Sequence, residues 1–135
     1  MDKLSADRRS ENMRRIRSAD MKPEMMVRRL AHKLGYRFRL RRKDLPGKPD
    51  LVFVGRRKAV FVHGCFWHQH RRCREGRLPK SNRAYWKPKL IRNVKRDAAA
   101  IAQLTRAGWR VLVVWECETK EAESVRRRLR KFLGS

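Results

Sequence analysis

Apolar positions along this chain change period several times, and each change marks an element. Between residues 22 and 34, Met26, Val27, Leu30, Ala31 and Leu34 recur at three- and four-residue steps, the spacing of one helical face. Pro23 suits the first turn of that helix and Gly35 its stop, and Glu24 places a carboxylate where the helix dipole favours one. Tyr36, Phe38 and Leu40 then alternate with arginines, which predicts a short strand with one buried face. Beyond the basic turn region 41–49, residues 50–54 and 58–62 read as two buried strands joined by Gly55-Arg56-Arg57. A hairpin that short brings Asp50, at the start of one strand, to the same sheet end as His63, just past the other. A basic loop carrying Tyr85 and Trp86 precedes a predicted helix over 88–107, with Ile91, Val94, Ala98, Ile101 and Leu104 on its core face. Residues 109–115 predict a strongly buried strand, and 119–133 a last helix burying Val125, Leu129, Phe132 and Leu133. The order α-β-β-β-α-β-α predicts an α/β domain: a mixed sheet flanked by helices, with a helical crossover to the final strand.

Ahead of this, residues 1–20 form a charged arm whose apolar edge is little more than Met13 and Ile16. The arm fits a solvated tail as well as a segment that orders on DNA; residues 21–135 read as a single domain.

Charge adds a partner. The 135 residues carry 38 Lys+Arg against 13 Asp+Glu, a formal net charge of +25, while 41% are hydrophobic. Such a chain can fold, yet its self-repulsion calls for a polyanion, and nucleic acid is the obvious one. Neutralising about 6–10 phosphates would make affinity fall roughly 10³–10⁵-fold between low and moderate salt. No apolar run approaches the roughly 18 residues of a membrane span, so no membrane partner is expected. The N-terminus lacks an apolar signal core. Three cysteines clustered with histidine suit a reduced, intracellular setting and a metal rather than disulfides.

The chemistry concentrates between Val60 and Cys73, which hold three of the four histidines and two of the three cysteines. Cys65, His70, Cys73 and, from the end of the last strand, Cys117 make a Cys3His set that suits a closed, structural Zn²⁺ site; free thiols are the bland alternative, and the chelate spacing favours zinc. His63, His68 and Asp50 remain at one end of the sheet. There Asp50 and the Val62 carbonyl could offer oxygen ligands to Mg²⁺, with the two imidazoles acting on a phosphate. The bland alternative is that Asp50 caps a turn and the histidines pack locally. Phe66-Trp67, with Trp86 as a second candidate, could wedge between base pairs. A non-catalytic, zinc-stabilised DNA-binding module would need the charge, the zinc set and the wedge, but not Asp50, His63 and His68.

Leu45-Pro46-Gly47-Lys48-Pro49-Asp50, His63-Gly64-Cys65-Phe66-Trp67-His68 and the run Gly108 to Cys117 (GWRVLVVWEC) together resemble the very-short-patch repair (Vsr) endonucleases, over nearly the whole chain. Asn12–Ile16 and Asn93–Asp97 add to the likeness. The resemblance implies a restriction-endonuclease-like PD-(D/E)xK variant core with a structural zinc site. It also implies an endonuclease that nicks DNA 5′ of the mispaired T in T:G mismatches left by 5-methylcytosine deamination. By that likeness Asp50 and the Val62 carbonyl bind Mg²⁺, His68 is the general acid–base group, and His63 assists at the phosphate. Phe66, Trp67 and Trp86 form the wedge, Met13 presses from the minor groove, and Cys65, His70, Cys73 and Cys117 hold Zn²⁺. The superfamily's usual second acid and lysine are replaced by Val62 and His63, and Glu24 is a candidate accessory acid. A monomer in the bacterial cytoplasm, on the nucleoid, working with MutL and a repair polymerase, completes the expectation. A double-strand restriction nuclease of the same fold is the remaining alternative.

Overall fold

A computed structural model describes residues 22–40, 42–70, 73 and 81–134. The expected arm at 1–20, with Met13, lies outside the described residues. Among those described, three helices and a four-stranded sheet follow the predicted order: α1 (Pro23–Lys33), β1 (Arg39–Leu40), β2 (Leu51–Phe53), β3 (Lys58–His63), α2 (Arg83–Arg106), β4 (Arg110–Trp115) and α3 (Ala122–Gly134). The sheet is mixed, with strands in the order β1-β2-β3-β4. The first three strands are antiparallel neighbours, and β4 lies parallel to β3 after the crossover through α2.

Strand alternation sorts the core into two layers. Leu51, Phe53 and Val60 join Val114 on one face, where Val27 and Ala31 of α1 and Val125, Leu129 and Leu133 of α3 close over them. Phe61 and His63, one step out of phase with Val60, look toward α2 instead. The β2–β3 hairpin also holds the end of α3, whose last carbonyls lack helical partners. Arg56 Nη1 donates to Leu133 O at 3.0 Å and Lys58 Nζ to Phe132 O at 2.6 Å. Burial, helped by Arg110 and Arg56, holds the Lys58 ammonium below the usual lysine range.

Four expectations are corrected. First, α2 begins at Arg83, so Tyr85 and Trp86 stand on its first turns rather than in a loop, and Pro88 lies inside the helix. The Asn82 carbonyl accepts from both Tyr85 N and Trp86 N at 3.0 Å, starting the helix ahead of Pro88. Second, the inward stripe of α2 is Leu90, Ala100 and Leu104, with Asn93 and Asp97 half-buried between them. Ile91 and Val94 are 43% and 40% exposed, and Ala98 is exposed too. Third, β4 buries only Val114 fully, because it is an edge strand under partial cover. Fourth, β1 is reduced to Arg39–Leu40, both exposed, while Tyr36 and Phe38 pack against the core from outside the strand. Among the described residues no helix is long and apolar enough to cross a membrane.

Candidate active site and metal centre

Both sites grow from the end of β3. Asp50 stands one residue before β2, and Leu51 pairs with Val60, so its carboxylate reaches the last residues of β3. Asp50 Oδ2 accepts the Val62 N–H at 2.6 Å, the adjacency that the short hairpin predicts. This is an oxygen donor group beside a strand-end backbone, the hard ligand type a divalent cation such as Mg²⁺ takes.

After His63 the chain leaves the sheet in a compact turn. His68 N donates to Gly64 O at 3.1 Å, Gln69 N to Phe66 O at 3.3 Å and His70 N to Cys65 O at 2.9 Å. Those bonds fold His68 back over His63, whose rings stack at 3.9 Å with 5° between planes. Across from them, α2 brings Asp97 Oδ2 to 2.5 Å from His68 Nδ1. An ionised carboxylate only accepts, so Nδ1 carries the proton and Nε2 is left for other partners. His63 is 6% exposed. Burial chiefly, and the neighbouring His68 next, push its imidazole down to about 4, against the opposing pull of Asp97. The two stacked rings therefore differ: His63 stays neutral, and His68 is the ring oriented by a carboxylate.

His63, His68 and Asp97 bring ligand-type atoms within 4.8 Å of one another, as do Cys65, His70, Cys73 and Cys117. The second group can hold a metal. His70 Nδ1 lies 3.4 Å from Cys117 Sγ and 3.7 Å from Cys65 Sγ. Tetrahedral Zn²⁺ with Zn–S of about 2.3 Å and Zn–N of about 2.0–2.1 Å would set that edge near 3.6 Å, so the donors fit. Without a cation, burial pushes the Cys65 thiol up to about 12 and raises Cys117 as well. A bound cation would reverse this by deprotonating the thiols. Trp115 separates the two groups. It stacks on His70 at 4.3 Å and meets His63 edge-on at 5.3 Å.

Phe66, Trp67 and Trp86 converge, as expected, with ring centroids 5.3 to 5.5 Å apart and tilted contacts. Trp67 is 49% exposed at their tip. Asn93 Nδ2 donates to Trp67 O at 3.2 Å and so ties this loop to α2. Glu24 joins neither ligand group; its carboxylate pairs with Arg28 at 2.5 Å on the same helix. The sequence pointed to no role for Asp97, Asn93 or Trp115 at these sites, nor for Tyr85, which packs edge-on against Trp86 at 5.1 Å. The available signal was a pair of polar side chains, Asn93 and Asp97, at helical spacing on the stripe shared with Leu90, Ala100 and Leu104.

The family described as DNA mismatch endonuclease Vsr matches residues 1–75. The chain is 53% identical over 132 residues to the type II nicking enzyme V.XorIIP of Xanthomonas oryzae pv. oryzae, covering 98% of this chain and 96% of the relative. It is 39% identical over 132 residues to the type II nicking enzyme V.NmeAIP of Neisseria meningitidis, covering 98% and 94%. It is 40% identical over 117 residues to the DNA mismatch endonuclease Vsr of Escherichia coli K12, covering 87% and 74%. Site and likeness together define a DNA nicking endonuclease. The chain belongs to the Vsr family of DNA mismatch endonucleases.

Proposed function

We propose that this endonuclease is Mg²⁺-dependent and nicks the strand 5′ of the mispaired T in T:G mismatches arising from 5-methylcytosine deamination, starting very-short-patch repair. The observation that carries the reading is the His68–Asp97 pair stacked on His63 at the end of β3, the strand whose Val62 N–H the Asp50 carboxylate accepts, with the Phe66, Trp67 and Trp86 rings grouped on the same loop and α2. The rings enter the stack at the mismatch, where unpairing is cheapest. His68, held by Asp97, handles the proton at the attacking water or the leaving oxygen. Neutral His63 positions the phosphate. Asp50 and the Val62 carbonyl hold the divalent cation, which supplies charge neutralisation at the phosphate. Zn²⁺ at Cys65, His70, Cys73 and Cys117 pins the loop that carries His68 and the wedge.

The core is a PD-(D/E)xK variant, the enzyme works as a monomer, the arm with Met13 contacts the minor groove, and MutL and a repair polymerase follow the nick on the bacterial nucleoid. One catalytic centre per chain suits a single nick. The test is cleavage of an end-labelled duplex with one T:G pair beside T:A and C:G controls, with Mg²⁺ added or omitted and no chelator present. A Mg²⁺-dependent nick just 5′ of the mispaired T is the expected result. Tight binding without cleavage would favour the binding module instead.

A further inference from the structure

Among the described residues, four other than glycine adopt left-handed backbone: Lys48, Arg57, Gln69 and Asn82, with φ of 51°, 54°, 50° and 57°. That conformation is costly for a side chain with a Cβ, and where it persists something compensates for it. Three of the four have a local reason. Arg57 Nη2 donates to Ala107 O at 2.8 Å, Gln69 Nε2 donates to Phe66 O at 2.7 Å, and Asn82 is a residue type that tolerates the conformation and stands at the start of α2. The Lys48 side chain supplies none: among the described residues no acceptor takes its ammonium, and the side chain is exposed.

The backbone around Lys48 is nonetheless tightly built. Lys48 N donates to Leu45 O at 3.1 Å, and Gly47 is also left-handed at φ 74°. A Cβ at Gly47 would lie 2.7 Å from Ala100 Cβ and 3.1 Å from the Phe61 ring, so the turn is seated against both α2 and β3. Buried Pro49 follows, then Asp50. This rigid turn delivers Lys48 to the wall of a cavity of about 530 Å³ shared with His63, His68 and Asp97. Two other cations line it, and neither is placed so firmly. The Arg96 guanidinium is engaged by Asn93 Oδ1, and Lys43 lies in a turn next to the Arg42–Asp44 ion pair, seven residues before Asp50.

We infer that Lys48 is a catalytic cation, its ammonium bonded to the non-bridging oxygens of the phosphate being cut. This rests on the nicking reading above. In the step, the water oxygen bonds to phosphorus and the phosphorus–oxygen bond to one nucleotide breaks. The water gives up a proton and the leaving oxygen gains one, while Lys48 exchanges none and supplies charge alone. A charge fixed where negative charge builds acts on the rate of the chemical step more than on binding.

The experiment compares wild type, Lys48→Gly and Lys48→Arg in single-turnover nicking of a T:G duplex, with duplex affinity and thermal midpoint measured on the same proteins. Lys48→Gly is expected to cut about 10²–10³-fold more slowly. Its affinity should stay within about threefold of wild type, a single phosphate contact among many. Its midpoint should rise, because glycine relieves the left-handed strain. Lys48→Arg keeps the charge and should recover part of the rate. Wild-type cutting by Lys48→Gly, a loss of rate matched by loss of affinity, or a fall in the midpoint would each overturn the inference while leaving the nickase intact. A wild type that leaves the duplex uncut would overturn the nicking reading and this inference together.

Discussion

Asp97 Oδ2 lies 2.5 Å from Nδ1 of His68, a residue 29 positions earlier in the chain and on a different element. The pair joins the turn after β3 to the middle of α2, and it orients one imidazole of a stacked pair while the other stays buried. Replacing His68 by Ala should lower the single-turnover nicking rate by about 10²–10⁴-fold, the range of a lost acid–base group. Asp97→Asn keeps the hydrogen-bonding shape and should slow cutting less than His68→Ala, with little change in the KM for mismatched duplex. An Asp97→Asn enzyme that cuts at the wild-type rate would leave the His68–Asp97 hydrogen bond a purely structural contact.

His63 gives a pH signature. Its folded pKa of about 4 lies below the ordinary value of 6.5, so the fold favours the neutral ring. The stability this contributes is complete above pH 6.5 or so and declines as acid is added toward pH 4, where the ring must charge in its buried position. The shift corresponds to about 3 kcal/mol over that window. Chemical denaturation of the metal-free protein at stepped pH should show this slope, and His63→Asn should flatten it. An NMR titration placing the His63 midpoint near 6.5 would remove the basis for the claim.

Metal removal tests the thiol cluster. Cys117→Ser, or dialysis against a zinc chelator, should eliminate one bound Zn²⁺ per chain by elemental analysis. It should also lower the thermal midpoint by on the order of 10 °C or more, because a structural metal contributes folding energy directly. Retention of a full zinc equivalent in Cys117→Ser would exclude this cysteine from the ligand set.

Trp67 stands half out of the surface, so Trp67→Ala should change stability by no more than about 0.5 kcal/mol. Its effect should fall on recognition. Affinity for the T:G duplex should drop by about 1–3 kcal/mol, the range of a lost base–aromatic stack, while matched duplex is affected less. Equal losses on both duplexes, in a titration at fixed salt, would mean that the ring contributes only general contact.

Gly47 combines a positive φ of 74° with a Cβ position 2.7 Å from Ala100 Cβ, a distance real Cβ atoms do not tolerate. Gly47→Ala should therefore destabilise the fold by about 1–3 kcal/mol through backbone strain and overpacking. It should slow nicking as well, since the same turn carries Asp50. A variant as stable as wild type by urea denaturation would show that the turn can relax away from α2.

What could be read from the sequence was local. The three- and four-residue spacing of Met26, Val27, Leu30 and Ala31 specifies α1. The tight link between two apolar runs specifies the β2–β3 hairpin, and with it the meeting of Asp50 and Val62, because a short turn leaves one register. The charge of +25 points to a polyanion whatever the fold. His70-x2-Cys73, with Cys65 close by, nearly defines a chelate before folding. The rotation of α2 was not legible. Apolar periodicity there selects Ile91, Val94 and Ala98 along with Leu104; only Leu104 of these is buried, and the helix turns Leu90 and Ala100 inward with it, Asn93 and Asp97 half-buried among them. A hydrophobic pattern reports a face only when that face meets a core; this helix meets instead a cavity shared with His63 and His68 and a loop that takes polar partners. The same holds for Trp115, whose place between His63 and His70 follows from the parallel register of β3 and β4, which long-range pairing alone can set. The sequence by itself therefore determined the elements, the partner's charge and the ligand types. Tertiary packing alone decided which polar groups face one another, because those contacts join segments whose spacing carries no local period.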